Sequence, residues 1–273
     1  MSNLSFFQIA PHPALRPYID FFWMLHNASP AVDSTAHLVF PDGGMDIVVN
    51  WTVSQSSTTT PAPPCISGIA THARSGPLQP LAAVVGARFR PGAAFALLSI
   101  SAPDLKDTLA PLNEVIRPAQ RGPFESVTDA RSPKDCLRLL QNSLMARLSS
   151  ASSVDPVVVK SLHAMEASGG SIRMADLEEI GISIRTLRRR FDRFVGVSPK
   201  QFCRILRLSH AVDLARDGGG SPINWADLAQ VAGYYDQSHL IQEFVELAGT
   251  TPDRHFAQTP AVRFFQYTNF DAF

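Results

Sequence analysis

Cysteine is scarce in this chain: three residues, Cys65, Cys136 and Cys203, among 273. The number is odd, the positions are scattered, and no pair has metal-ligand spacing. That excludes a disulfide framework and leads us to expect reduced thiols, as in a cytoplasm. No window approaches the ~18 consecutive apolar residues that a membrane span needs. Near the start, Pro11, Pro13, Arg16 and Asp20 interrupt the apolar core that a signal peptide would require, so the chain is expected to stay inside the cell. Net charge is also missing, with 24 basic residues against 24 acidic ones. Charged residues make up 18% of the chain, a little below the ~25% of ordinary soluble domains. The first half contains no nucleophile elbow, phosphate loop, paired-histidine metal motif or reactive-cysteine setting. Its histidines, His12, His26, His37 and His72, are scattered. Farther on, His239 and His255 stand sixteen residues apart without cysteine or carboxylate company, which is not a ligand set. No catalytic residue, metal or cofactor is expected, and the class is soluble globular protein long enough for two domains.

What the chain does contain is a repeat at an offset of fifty-three residues. Ser183 falls on Asp236, Leu187 on Leu240, Phe191 on Phe244, Gly196 on Gly249 and Pro199 on Pro252. Ser183 and Asp236 are side chains that accept from the free N–H groups opening a helix. Leu187 with Phe191, and Leu240 with Phe244, lie four apart on one helical face and form a buried stripe. Gly196 and Gly249 suit the left-handed turn that ends a helix, and Ser198-Pro199 and Thr251-Pro252 start the next. A repeated helix–turn–helix of this size is the form of a bipartite DNA reader.

The stretches LRRRFDRFVGVSPKQFCRILRLSHAVDLA and LAQVAGYYDQSHLIQEFVELAGTTPDRHF resemble the DNA-binding domain of the AraC/XylS family of bacterial transcription regulators. The resemblance covers roughly the last hundred residues. It is most specific at Gly233, Tyr234, Asp236, Gln237, Ser238, His239, Phe244, Gly249, Thr251 and Pro252. The earlier landmarks HPALRPYIDFFW, FPDGGMDIVVNW, VGARFRPGAAFALL and LKDTLAPLNEV resemble the N-terminal half of one group of the same regulators. The resemblance implies double-stranded DNA as partner, with RNA polymerase, a small-molecule effector and a second copy of the chain as further partners. One departure stands out. Before Gly233 the pair Leu228-Ala229 allows close helix crossing, whereas before Gly181 the corresponding place reads Asp176-Leu177, which implies a shifted or shortened first support helix.

Charge divides unevenly between the two copies. From Ile182 to Arg216 nine basic residues face two acidic ones, a net of +7; from Asp217 to Ala257 one faces six, a net of −5. Phosphate affinity is therefore assigned mainly to the first copy. By match to the family's recognition-helix positions, Arg185, Arg188 and Arg189 are the base readers of the first copy, since a guanidinium fork fits the two acceptors of guanine. Arg190, Arg193 and Lys200 are assigned to phosphate or solvent, and the bland alternative for the whole run is a solvated basic face. In the second copy Gln237 and Gln242 can pair with adenine, with Ser238 and His239 in support. There the alternative is that Gln237-Ser238-His239 chiefly caps the helix. Glu243 and Glu246 would be repelled by nearby phosphate, and Tyr234 and Tyr235 are expected to pack, with a phosphate contact through one hydroxyl as the alternative.

Upstream, Pro13–Leu25 reads as a short helix running into a strand with Phe21, Phe22 and Trp23 inward. Met45, Ile47, Val49 and Trp51 alternate at period two after a Pro41–Gly44 turn, interleaved with Asp46, Val48 and Asn50, so that strand is read as half buried. Residues 55–64 read as an unordered polar loop, 84–89 as a strand, and 93–100 as a helix. Leucines and neighbours from Cys136 to Leu148 have helical spacing and serve either as a dimer seam or as packing on the first domain. Gly218-Gly219-Gly220 makes a soft joint between the two copies, and five aromatics in 263–273 form a tail that folds back or docks a partner. The expected fold is α+β. It has a β-rich domain over 1–118, a helical linker over 119–153, an all-α domain over 154–257 with two helix–turn–helix units joined by a long helix, and a tail over 258–273. The expected function is sequence-specific DNA binding in transcription regulation, responsive to an effector for which Trp23, Trp51, Arg88 and Arg90 are candidate contacts. A ligand-free constitutive regulator and an enzyme or repair domain fused to a DNA-targeting module are the alternatives.

Overall fold

The alternation of Met45, Ile47, Val49 and Trp51 does put four apolar side chains on one face of a strand, and all four are buried in the computed structural model of the chain. The structure describes residues 4–27, 37–53, 59–76, 81–217 and 223–258. The strands are β1 (Leu4–Ile9), β2 (Ile19–Asn27), β3 (His37–Val39), β4 (Met45–Val53), β5 (Thr59–Pro61), β6 (Cys65–Ser67), β7 (Arg74–Gly76), β8 (Leu81–Phe89) and β9 (Leu109–Pro111). The main sheet runs β1-β2-β8-β4-β6-β9, with β5 also on β4, and β3 pairs β7 separately. Every pairing is antiparallel. In the β4–β8 register Met45 faces Phe89, Ile47 faces Ala87, Val49 faces Val85 and Trp51 faces Ala83, so eight buried side chains line one face.

Helices follow: α1 (Ala93–Leu98), α2 (Leu112–Val115), α3 (Pro118–Glu125), α4 (Pro133–Met145), α5 (Pro156–Ala167), α6 (Ile184–Val195), α7 (Pro199–Asp217), α8 (Trp225–Val231), α9 (Gln237–Ala248) and α10 (Pro252–Gln258). Helix α4 lies against β2 and β8, and its Cys136, Leu137, Leu140 and Leu144 enter the sheet's core. Its apolar face is thus covered by its own chain rather than left as a seam.

Several expectations need correction. Asp46 does not alternate outward into water; it is buried on the second face of β4, opposite Arg88. Arg88 donates through Nε to Asp46 Oδ1 at 2.9 Å and through Nη1 to Asp42 Oδ2 at 2.7 Å, and Trp23 Nε1 donates to the same Asp46 oxygen at 2.9 Å. Burial pushes the Asp46 carboxyl above its ordinary range despite the guanidinium beside it. The Trp23 indole lies over Gly86, where an added Cβ would stand 2.2 Å from the ring, so this position accepts only glycine. Part of the supposed loop, Thr59–Pro61, is a strand on β4, Trp51 standing opposite Pro61. The Gly218–Gly220 joint and the aromatic tail lie outside the described residues.

The sheet and the first repeat share one core. Buried residues run without a break from Ile47 and Phe89, through Val158 and Leu162, to Leu187, Phe191 and Phe202. The second repeat has its own cluster around Trp225, Ala229, Tyr234 and Leu240. A third cluster, Leu208, Val212, Phe244 and Leu247, is covered by Phe40 and Ala73 from the sheet region.

Candidate nucleic-acid interface

Helices α6 and α9 form where the caps and glycines of the repeat place them. Ser183 Oγ accepts from Thr186 N at 3.4 Å to open α6, and Asp236 Oδ1 accepts from His239 N at 2.8 Å to open α9. Gly196 (φ +90°) and Gly249 (φ +72°) end them in the left-handed conformation. Leu187, Phe191 and Val195 bury one side of α6; Leu240, Phe244 and Leu247 bury one side of α9. Ahead of α9 stands a true helix, α8, with Ala229 fully buried at the crossing. Ahead of α6, residues Asp176–Ile180 make only a 3-10 turn. Asp176 turns outward and takes Arg173 Nη2 at 2.8 Å while Leu177 takes the inner place, so the charged residue shortens the support as its position predicts.

Arg185, Arg188, Arg189, Gln237 and Gln242 are all exposed on the sides of α6 and α9 opposite the buried stripes. Arg193, Lys200 and Ser238 are exposed as well. Arg190 is not a free cation: its Nη1 binds both oxygens of Asp155, at 2.8 and 2.7 Å, where Asp155 caps α5. His239 accepts from Tyr235 N through Nδ1 at 3.4 Å and sets Nε2 3.7 Å from Glu243, which ties it to the start of its own helix. The two tyrosines separate. Tyr234 is buried beneath the Arg207 guanidinium, 5.1 Å from its centroid, whereas Tyr235 is 89% exposed immediately before α9. Nothing in the sequence distinguishes the two; only the direction of the turn at Gly233 (φ +79°) does.

The charge division also changes meaning. Glu243 is buried, and Arg204 Nε reaches it at 2.8 Å while Arg204 Nη2 reaches Glu246 at 2.5 Å and Arg207 Nη2 stands 3.5 Å from Glu243. Cations of the first copy therefore neutralise acids of the second across the α7–α9 contact, instead of waiting for phosphate. These pairs bolt the long connecting helix α7 to α9. Replacing Lys200 by alanine is expected to lower the slope of log affinity against log salt by about one, as for one lost phosphate contact. Replacing Arg204 should leave that slope unchanged and lower thermal stability instead, because it strands a buried carboxylate. Salt titrations of DNA binding beside melting curves separate the two.

The sheet region grips α6 at its last turn. Phe95 of α1 packs edge-on against Phe194 at 4.9 Å, and the Arg193 guanidinium stands 5.2 Å from the Phe95 ring. At Gly196 an added Cβ would stand 2.8 Å from Ala102 O. The second repeat is held too: Ala73 N donates to Leu247 O at 2.6 Å, and Phe40 packs on His255 and Phe244. Burial pushes the His255 imidazole down to about 4, so it is neutral in that aromatic seat.

Of the four candidate effector contacts, three are occupied elsewhere. Trp51 is in the sheet core, and Trp23 and Arg88 belong to the buried Asp42–Asp46 cluster. Only Arg90 borders a cleft, of about 300 Å³, between the sheet end and α5. Among the described residues no helix is long and apolar enough to cross a membrane, and no cluster of three metal-ligating side chains occurs.

A family model described as a helix-turn-helix domain matches residues 177–258, and one described as a domain of unknown function, DUF6597, matches residues 7–111. No curated protein sequence matches the chain. Among solved structures, ToxT from Vibrio cholerae O395 is similar at 9% identity over 96% of this chain and 100% of that one, with a TM-score of 0.42. An unsaturated fatty acid-bound ToxT from Vibrio cholerae strain SCE256 is similar at 11% identity over 96% and 97%, with a TM-score of 0.42. The α6–α7 and α8–α9 pairs fall within the helix–turn–helix match, and the main sheet, apart from the first three residues of β1, within the other. The chain thus carries a helix-turn-helix domain over residues 177–258, preceded by a DUF6597 domain over residues 7–111.

Proposed function

We propose that the chain is an AraC-type, DNA-binding transcription regulator and that it reads its operator with Arg185, Arg188 and Arg189 on α6 in one major-groove segment and with Gln237 and Gln242 on α9 in the next, on one face of the duplex. Arg193, Lys200 and Ser238 then contact phosphate; Arg190 and His239 position the helices. The observation that carries this reading is that all five readers are solvent-facing on capped helices whose opposite sides are buried. Residues 1–118 serve as the regulatory domain and 154–257 as the reader, inside the cell, and an effector acts by changing how the first holds the second. The contacts of Phe95 and Ala102 with the last turn of α6, and of Ala73 and Phe40 with α9, give such a signal a physical path.

The test is binding to DNA upstream of the protein's own gene, for wild type, Arg189→Ala and Gln242→Ala. Each substitution is expected to cost about 10- to 100-fold on the cognate site, following from ~1–3 kcal/mol per bidentate base contact, and to leave random-sequence DNA nearly unaffected. Equal weakening on both DNAs would demote the residue to a phosphate contact.

A further inference from the structure

The cleft at the end of the sheet lies where the regulatory and reading regions meet. Its walls are apolar: Tyr18 and Pro91 from the sheet side, Val154, Val159 and Leu162 from α5 and the segment before it. At about 300 Å³ it falls at the lower end of pockets that take small organic molecules, roughly 300–1,000 Å³. One polar corner interrupts these walls. Glu166 lines the cleft, and its Oε1 is buried without a hydrogen-bond partner. Asp20 and Arg90 face it from the ends of β2 and β8, and His163 borders the cleft one helical turn earlier on α5.

Counting charges at that corner gives two carboxylates to one guanidinium. Arg90 is already committed: its Nη2 lies 3.8 Å from Asp20 Oδ1, and its Nε donates to Arg16 O at 2.8 Å. With Glu166 ionised, the corner is one cation short. Burial and the nearby Asp20 charge accordingly push the Glu166 carboxyl up to about 8, Arg90 offsetting only part of this. A carboxylate ligand would add a third anion beside these two, whereas an ammonium would complete the set.

We propose that this cleft binds an amphipathic organic cation, its apolar body between Tyr18, Pro91, Val159 and Leu162 and its ammonium against Glu166 and Asp20. The inference deepens the effector reading above and rests on it for its regulatory meaning. The path to DNA is short: α5 forms the far wall of the cleft, and Asp155 at its start holds Arg190 of the first reading helix. Tyr18 also donates to Ser152 O at 3.1 Å, so a ligand here sits at the joint between the two regions.

Hexylamine, hexan-1-ol and hexanoate, of equal chain length, serve as probes for calorimetric binding to the full-length protein. Hexylamine alone is expected to bind. Glu166→Gln should weaken it at least tenfold while remaining folded, and Leu162→Trp, which fills the cleft, should abolish it. Because Glu166 must release its proton to pair, hexylamine affinity should rise about tenfold from pH 6 to pH 7 in wild type and not in Glu166→Gln. Binding of hexanoate, equal binding of hexylamine by Glu166→Gln, or no amine binding would overturn the assignment. DNA affinity with and without hexylamine is a separate readout. A shift supports the effector role, whereas amine binding that leaves DNA affinity unchanged keeps the site and removes that role.

Discussion

Replacing Arg88 by alanine is expected to lower stability by about 3–5 kcal/mol, the usual cost of removing one member of a buried ion pair. For a protein of this size that corresponds to a fall in melting temperature on the order of 10 °C. Removal would leave Asp42 and Asp46 inside the sheet with, among the described residues, Trp23 Nε1 and Gly44 N as donors. The sign of the pH dependence follows. Burial already raises the Asp46 carboxyl and Arg88 is the main influence lowering it, so without the guanidinium the folded variant holds a proton that the unfolded chain releases. Its deficit therefore shrinks as pH falls from neutrality toward the unfolded value near 4. Melting curves of wild type and Arg88→Ala at pH 5 and pH 8 measure this, and a deficit independent of pH would contradict it. Adding Asp42→Asn and Asp46→Asn to the variant should recover part of the loss, because the cost lies in stranded charge rather than in lost volume.

The second large effect is expected at Phe202. Its ring is fully buried; it stands 2.9 Å from where a Cβ on Gly43 would be and packs edge-on against Phe191 at 6.1 Å. It thus fills the space between the turn leading into β4 and the first reading helix. Phe202→Ala should cost ~3–5 kcal/mol through lost contacts and the cavity left behind. Because one core runs through both regions, wild type should melt in a single calorimetric transition, and the variant should separate into two. A single transition displaced as a whole would mean that other contacts suffice to couple the halves.

The local signals of the reading module were legible in the sequence because capping, helical stripes and left-handed turns act within four or five residues. Ser183, Asp236, Gly196 and Gly249 each do what their residue type dictates. The placement of Met45, Ile47, Val49 and Trp51 was legible for the same reason at period two. What stayed hidden depends on distant partners. Asp46 looks like a solvent-facing strand residue until β8 delivers Arg88 opposite it, forty-two residues away. Glu243 and Glu246 look hostile to phosphate until α7 brings Arg204 to them, and Arg190 looks free until α5 presents Asp155. Of the four candidate effector contacts Arg90 alone lines the cleft, whereas Glu166, in a helix with ordinary apolar spacing, carried no signal of its own.

The ring and backbone contacts of the sheet region with α6 fall at the heel of that helix, at Arg193, Phe194 and Gly196, while Arg185, Arg188 and Arg189 stand toward its toe. A helix of 12 residues is about 18 Å long at 1.5 Å per residue. Pivoting it by about ten degrees at the heel sweeps the toe through roughly 3 Å, close to the ~3.4 Å advance per nucleotide of one DNA strand. A pivot of that size is thus enough to move the arginines out of step with the bases proposed for them.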